Sequence, residues 1–294
     1  MLPQAGRAAS TLVFNTAFEQ SEGYVSDLAL AGQKGWVGQG TGGNVITHTL
    51  NQQVRLGYTG PTSDSEASTS VWKPLSVTNV PTNTLVEFKA DVAILNSTTI
   101  AHDEFRFSAY NTNGAQLLSL IFDNDSLGVT YFSADGVRHA TGTNFVNGHF
   151  YSLVILIDFT RNRWTASLDG HDLPINAPIR TGATPSLDLG AIRAVWFYHD
   201  PTSTGDNYML FDNYRISLES IVTPLVQALS AANGQFRLRV FGEDGTKYAV
   251  EGSTALATNS WFLLGTNTVA GGSFDFTNAM PPFSRRFYRA RWVP

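Results

Sequence analysis

His199-Asp200-Pro201, with Asp206 soon after, places an imidazole and two carboxylates within one short stretch. Such groups can pass a proton between them or support a metal. A strand that gives way to a loop is also where sites tend to sit. His199, Asp200 and Asp206 are therefore the candidate catalytic group, against the plainer reading of a turn at Asp200-Pro201. His102-Asp103-Glu104 offers similar residue types, but neighbours on a strand point to opposite faces. Glu104 and Arg106 share a face and read as an ion pair. Asp123-Asn124-Asp125 has oxygen spacing for a hard cation, yet it lacks the Gly and distal Glu of an EF-hand loop and reads as an Asx-rich turn.

Aromatic residues carry the second kind of chemistry. Sugar rings present C–H faces that stack on Trp and Tyr over a concave sheet. Trp36, Trp72, Trp196 and Tyr198 are the candidate substrate-binding platforms. Trp196 and Tyr198 lie two apart on one strand and share a face, while Phe197 points the other way. One of those faces is core, and alternation alone leaves open which. Other chemistries lack their motifs: there is no Gly-x-Ser-x-Gly, no His-Glu-x-x-His, no P-loop and no dinucleotide fingerprint.

Composition narrows the setting. Only 15% of the 294 residues are charged, against about 25% in an average domain. The surface is thus neutral and hydroxyl-rich. A core is assured by 19 Phe, 10 Tyr and 6 Trp, which excludes a disordered chain. A net charge of −5 argues against nucleic acid as a partner. The absence of cysteine excludes disulfides, thiolate nucleophiles and Cys-based zinc sites. No apolar run reaches the roughly 18 residues of a membrane-spanning helix. Residues 1–13 do not form a secretory leader as written, and the expectation is an exported, extracellular or surface protein whose leader is absent from this sequence.

The chain reads as strands throughout. Residues 85–92, 104–108 and 208–216 alternate apolar and polar at period two. Residues 152–157 form an apolar run expected to be buried on both faces. Asn113-Gly114, Asp135-Gly136, Asn147-Gly148 and Asp169-Gly170 mark turns, the last within a hairpin over 163–173. Residues 1–220 carry a net −8 and residues 221–294 a net +3, which points to two units. The expected division is a domain over 1–220 and a small β-sandwich over 221–294. The second opens with a linker and a helical turn over 221–232 and continues with five strands. Its basic tail (Arg285, Arg286, Arg289, Arg291) reads as a solvated edge.

Several segments resemble a known family. Ala17-Phe18-Glu19, Glu22-Gly23-Tyr24, Gln33-Lys34-Gly35-Trp36, Ser167-Leu168-Asp169-Gly170 and Phe211-Asp212-Asn213-Tyr214-Arg215-Ile216-Ser217 are similar to concanavalin A-like (laminin-G-like) jelly rolls of exported bacterial proteins. The C-terminal Arg286-Phe287-Tyr288-Arg289 resembles small β-modules that end such proteins. The resemblance implies an all-β jelly-roll sandwich over residues 14–218, with residues 14–24 paired to 208–218. It also implies a structural Ca²⁺ where the terminal strands meet. Glu19 and Asp212 would hold the ion, with Asn44 and the loop 38–43 adding oxygens. The Glu-x-Asp-x-x-Glu strand of the family's glycosidases is absent.

Three functions stay open. The first is a calcium-stabilised carbohydrate-binding protein whose partner is a polysaccharide or small-molecule ligand. The second is a calcium-dependent hydrolase of a glycan, ester or lactone, with a metal beside His199 or His171. The third is a non-catalytic adhesion or anchoring protein.

Overall fold

The computed structural model describes residues 10–47, 51–81, 84–132, 136–173, 175, 177–179, 186–220, 224–232, 234–242, 244–256, 260–279 and 286–293. Asp135, Arg285 and residues 221–223, used in the reading above, lie outside them. Two compact units emerge, one of Thr11–Leu218 and one containing Glu219–Pro294. Among the described residues the only helical segment is the 3-10 turn Gln20–Glu22. Among the described residues no helix is long and apolar enough to cross a membrane.

The first unit is a jelly-roll sandwich of two antiparallel sheets. The larger runs His171–Asp172, Arg163–Leu168, Tyr151–Asp158, Thr84–Leu95, Tyr208–Ser220, Gln53–Gly57, Asn44–Thr47, with Ser10–Thr16 also paired to Tyr208–Ser220. The terminal strands therefore meet as expected, although the first ends at Thr16 and residues 20–22 form the 3-10 turn instead. The second sheet runs Arg138–Asn144, Gly128–Phe132, Gln116–Asp123, Glu104–Tyr110, Ala191–Phe197, Ser68–Trp72, Val37–Gln39.

Period-two alternation fixes which face is inward. Phe105, Phe107 and Ala109 join the core from one central strand, and Ile192, Ala194 and Trp196 from its neighbour. Between the sheets, the Phe18, Trp36, Phe88, Phe107, Phe211 and Tyr214 rings meet edge-on or tilted at 4.9–5.9 Å. The fully buried Tyr214 hydroxyl donates to the Ile192 carbonyl at 2.8 Å. The run at 152–157 differs from expectation. Leu153, Ile155 and Ile157 are core, while Val154 and Leu156 face outward and are half-buried. Asp169 and Gly170 both take positive φ (49° and 74°), the type I′ geometry that joins Leu168 to His171 in register.

The second unit holds two three-stranded sheets around Leu238, Val240, Tyr248, Val250 and Val269. One is ordered Leu225–Ala232, Gln235–Phe241, Ser273–Ala279, and the other Phe262–Thr268, Lys247–Ser253, Phe287–Val293. The expected linker with a helical turn is thus corrected over 225–232. Its Ala-rich sequence has helical propensity, but it sits at a sheet edge, where pairing to Gln235–Phe241 decides the conformation.

Candidate functional site

The outward face of the seven-stranded sheet gathers the groups that can do chemistry. Register sets them in rows across the strands. One row runs Trp72, Arg193, Ser108, Ser119, Phe132, Arg138. A second runs Ser68, Phe197, Glu104, Asp123. Between them lie Val195, Arg106 and Ile121. Each belongs to the half of a strand whose alternate residues fill the core.

Glu104 is the most enclosed charged residue of these, only 2% exposed despite facing outward. Its Oε2 accepts from Arg106 Nη2 at 2.7 Å and Nε at 3.2 Å. Its Oε1 accepts from Arg138 Nη1 and lies 3.2 Å from His199 Nε2. Burial works to raise its carboxyl, but the arginines and the imidazole outweigh it, so Glu104 titrates below the usual range. Arg138 also reaches Asp123 Oδ2 at 3.3 Å and Thr130 Oγ1 at 2.9 Å. The Arg106 guanidinium carbon lies over Phe197, 3.9 Å from the ring centre, and 5.6 Å from that of Phe132.

Asp103, on the opposite side of the strand, fastens the loop that carries His199. It is 1% exposed and accepts from Trp196 Nε1 (3.0 Å), His199 N (3.0 Å) and Gly205 N (3.2 Å). Burial raises its carboxyl, against those three donations. Asp206 pins the same loop from its far end. Thr98 Oγ1, Ser97 Oγ and Thr98 N all donate to it, which holds it at about 2.

The other end of the face is aromatic. The Arg193 guanidinium carbon lies 4.0 Å from the Trp72 ring centre and 4.2 Å from that of Tyr110. Among the described residues its side chain makes one hydrogen bond, from Nη1 to Gln39 Oε1 at 3.5 Å, and its enclosed Nε has no acceptor.

The residues singled out from sequence separate accordingly. Trp36, Trp196 and Tyr198 are 2%, 0% and 3% exposed and belong to the core, so they offer no ring face to a ligand. Only Trp72 of the four faces outward. Of the catalytic group, His199 alone joins the cluster. Asp200 is a turn residue accepting from Thr202 N and Oγ1, and Asp206 is the loop fastening just described. The missed residues are Arg193, Tyr110, Phe132 and Arg138. The steps Arg193-x-Val195-x-Phe197 and Glu104-x-Arg106-x-Ser108-x-Tyr110 carried the signal, once the core face was known.

Two places bear on a metal. Glu104, Asp123 and His199 bring ligand atoms within 4.8 Å of one another, the one such trio found among the described residues. Arg138 already bridges Glu104 and Asp123, and Arg106 covers the other Glu104 oxygen. Two guanidiniums supply the positive charge that a dication would bring. At the terminal strands, Asp212 is pushed up to about 6, by burial first and then by the negative charges of Glu19, Asp91 and Glu22. A backbone N–H from Asn213 opposes this. Negative charge is therefore in excess around Asp212, although Asn213 donates to both Asp212 and Asp91, and no three of these carboxylates bring ligand atoms within 4.8 Å of one another. Asn44 is occupied elsewhere, its Oδ1 accepting from Ala31 N at 3.0 Å. In the loop 38–43, Gly42 packs on the other sheet, where a Cβ would lie 2.6 Å from the Tyr198 hydroxyl, while the Gly43 carbonyl accepts from Gly57 N of the larger sheet.

No family model matches the sequence, and no curated protein does. Solved structures do. An endo-1,3-beta-glucanase from Streptomyces sioyaensis is 11% identical with TM-score 0.53, covering 74% of this chain and 99% of that one. A conserved carbohydrate esterase from Shiga toxin-encoding bacteriophage phi24B is 12% identical with TM-score 0.51, covering 72% of this chain and 100% of that one. A sialidase is 9% identical with TM-score 0.49, and the match spans 74% of this chain but 19% of the sialidase. At these identities the likeness shows the fold, a concanavalin A-like jelly roll.

Proposed function

We propose that the jelly-roll unit binds carbohydrate on the outward face of its seven-stranded sheet. The observation that carries this is the row of half-buried rings and planar guanidiniums there: Trp72 and Tyr110 about Arg193, Phe197 and Phe132 about Arg106. Rings stack on sugar C–H faces, and guanidinium forks donate to hydroxyls. The sheet holds both in place at no ordering cost. Glycoside hydrolysis needs one carboxyl kept protonated. Glu104 is held ionised by its cationic neighbours, and Asp123 shares Arg138 with it. Binding is therefore favoured over turnover. The names of the glucanase and the esterase agree with a glycan-directed role.

Isothermal titration against a panel of neutral β-glucan oligomers checks this. Trp72→Ala is expected to weaken binding tenfold or more, since a lost stacking ring is worth about 1.5–3 kcal/mol. Equal affinities for wild type and variant would count against this face. Release of reducing ends from any probe would replace the binding reading with a hydrolytic one.

The same reading includes a structural Ca²⁺ held by Glu19 and Asp212, supported by the raised Asp212 carboxyl. A folded-state pKa above the unfolded value contributes stability at low pH that is lost as pH rises through it. Without calcium the protein should therefore lose stability between about pH 4 and 6 on this account. Discounted for its partial exposure, the effect is on the order of 1 kcal/mol. Asp212→Asn should raise Tm by about 2–4 °C at pH 7.5 in EDTA. Added Ca²⁺ should raise Tm of the wild type and leave the variant unmoved. A wild-type Tm indifferent to Ca²⁺ would remove the ion from this account.

A further inference from the structure

We infer that the sugar bound on this face carries a carboxylate, and that Arg193 is the residue that receives it. The inference rests on the carbohydrate-binding reading above and narrows its ligand to acidic glycans. The sheet shows how it treats its other outward-facing arginines: Arg106 and Arg138 are both neutralised by Glu104, and Arg138 by Asp123 as well. Arg193 stands apart, with no carboxylate partner among the described residues. Its positive charge is pressed between Trp72 and Tyr110, and its Nε is closed off from solvent without an acceptor.

A guanidinium kept this way has given up part of its hydration and gained only ring faces and one long contact to Gln39. The two rings, one from each neighbouring strand, also limit how it can turn. A planar fork held in one orientation matches a carboxylate, which accepts two parallel N–H donations. The Trp72 ring beside it supplies the stacking surface for the pyranose that bears the acid. A neutral sugar hydroxyl would leave the charge unanswered. The whole chain, at −5, repels a polyanion, so attraction must come from this local cation and not from the long-range field.

The test uses the full chain and two matched probes, oligogalacturonate and its methyl ester. These share a backbone and differ in the charge of the carboxyl group. The acid form should bind at least tenfold tighter than the ester in 50 mM salt. Arg193→Gln should erase the preference for the acid form, with binding of the ester falling by the smaller factor. Arg193→Lys, which keeps the charge but loses the fork, should recover only part. Thermal melts of each variant establish that it is folded.

Equal affinity for acid and ester overturns the inference. So does a parallel loss of both in Arg193→Gln, or tighter binding of sulfated carrageenan oligomers than of oligogalacturonate. Should neutral β-glucans alone bind, in a way that Trp72→Ala abolishes, the acidic ligand falls and the carbohydrate reading stands. Should no probe bind, both fall.

Discussion

Glu104→Ala is expected to cost the jelly-roll unit about 3 kcal/mol, the largest loss of any single change on its outward face. The Glu104 side chain is 3% exposed, while its partners Arg106 and Arg138 are 16% and 34% exposed. Removing the anion leaves two cations close together, one of them largely enclosed. Arg138 can swing toward water and Arg106 cannot do so without leaving Phe197, which is why the cost sits at the low end of the range for broken buried pairs. In a unit of this size the Tm should fall by about 6–12 °C. Glu104→Gln keeps the shape and one acceptor oxygen and should lose less. The acid limb of the stability curve offers a second check. A carboxyl with a lowered pKa contributes stability above its unfolded value and loses it as pH falls. The wild type should therefore weaken below about pH 4.5 more steeply than Glu104→Gln. Parallel curves would mean that the cluster is solvated and contributes little.

Asp103→Ala should be comparable, at about 3 kcal/mol, for a different reason. Three N–H groups lose their acceptor at once: the indole of Trp196 and the amides of His199 and Gly205. A buried donor left unpaired costs about 1 kcal/mol or more. The damage should be local before it is global. Hydrogen exchange should accelerate first at residues 199–207, and His199 should lose its fixed place beside Glu104. Asp103→Asn keeps one acceptor, but its amide nitrogen meets the remaining donors, so it should recover only part. Uniform acceleration across the whole sheet, with no lead at 199–207, would show that Asp103 supports the core and not the loop.

Much of the architecture was legible because it is local. Alternation at 104–108 and 208–216 and the Asp169-Gly170 turn each need only neighbouring residues. The candidate site was less legible because its parts are joined by distance in sequence. Arg138 reaches Glu104 across 34 positions, and Thr98 reaches Asp206 across 108. Nothing near Asp206 in sequence reveals two hydroxyls waiting for it. The aromatic platforms failed on another point. Trp196 and Tyr198 were correctly given one shared face, but only the pairing of Ala191–Phe197 with its neighbours shows that this face is core and that Phe197 is the open one.

The pairing of Ser10–Thr16 with Tyr208–Ser220 also sets a schedule for biosynthesis. The first strand leaves the ribosome long before its partner exists. At about 5–20 residues per second, it waits on the order of 10–40 s with its hydrogen-bonding edge open. The sandwich cannot close before then, so this strand is the segment a nascent-chain chaperone would have most time to meet.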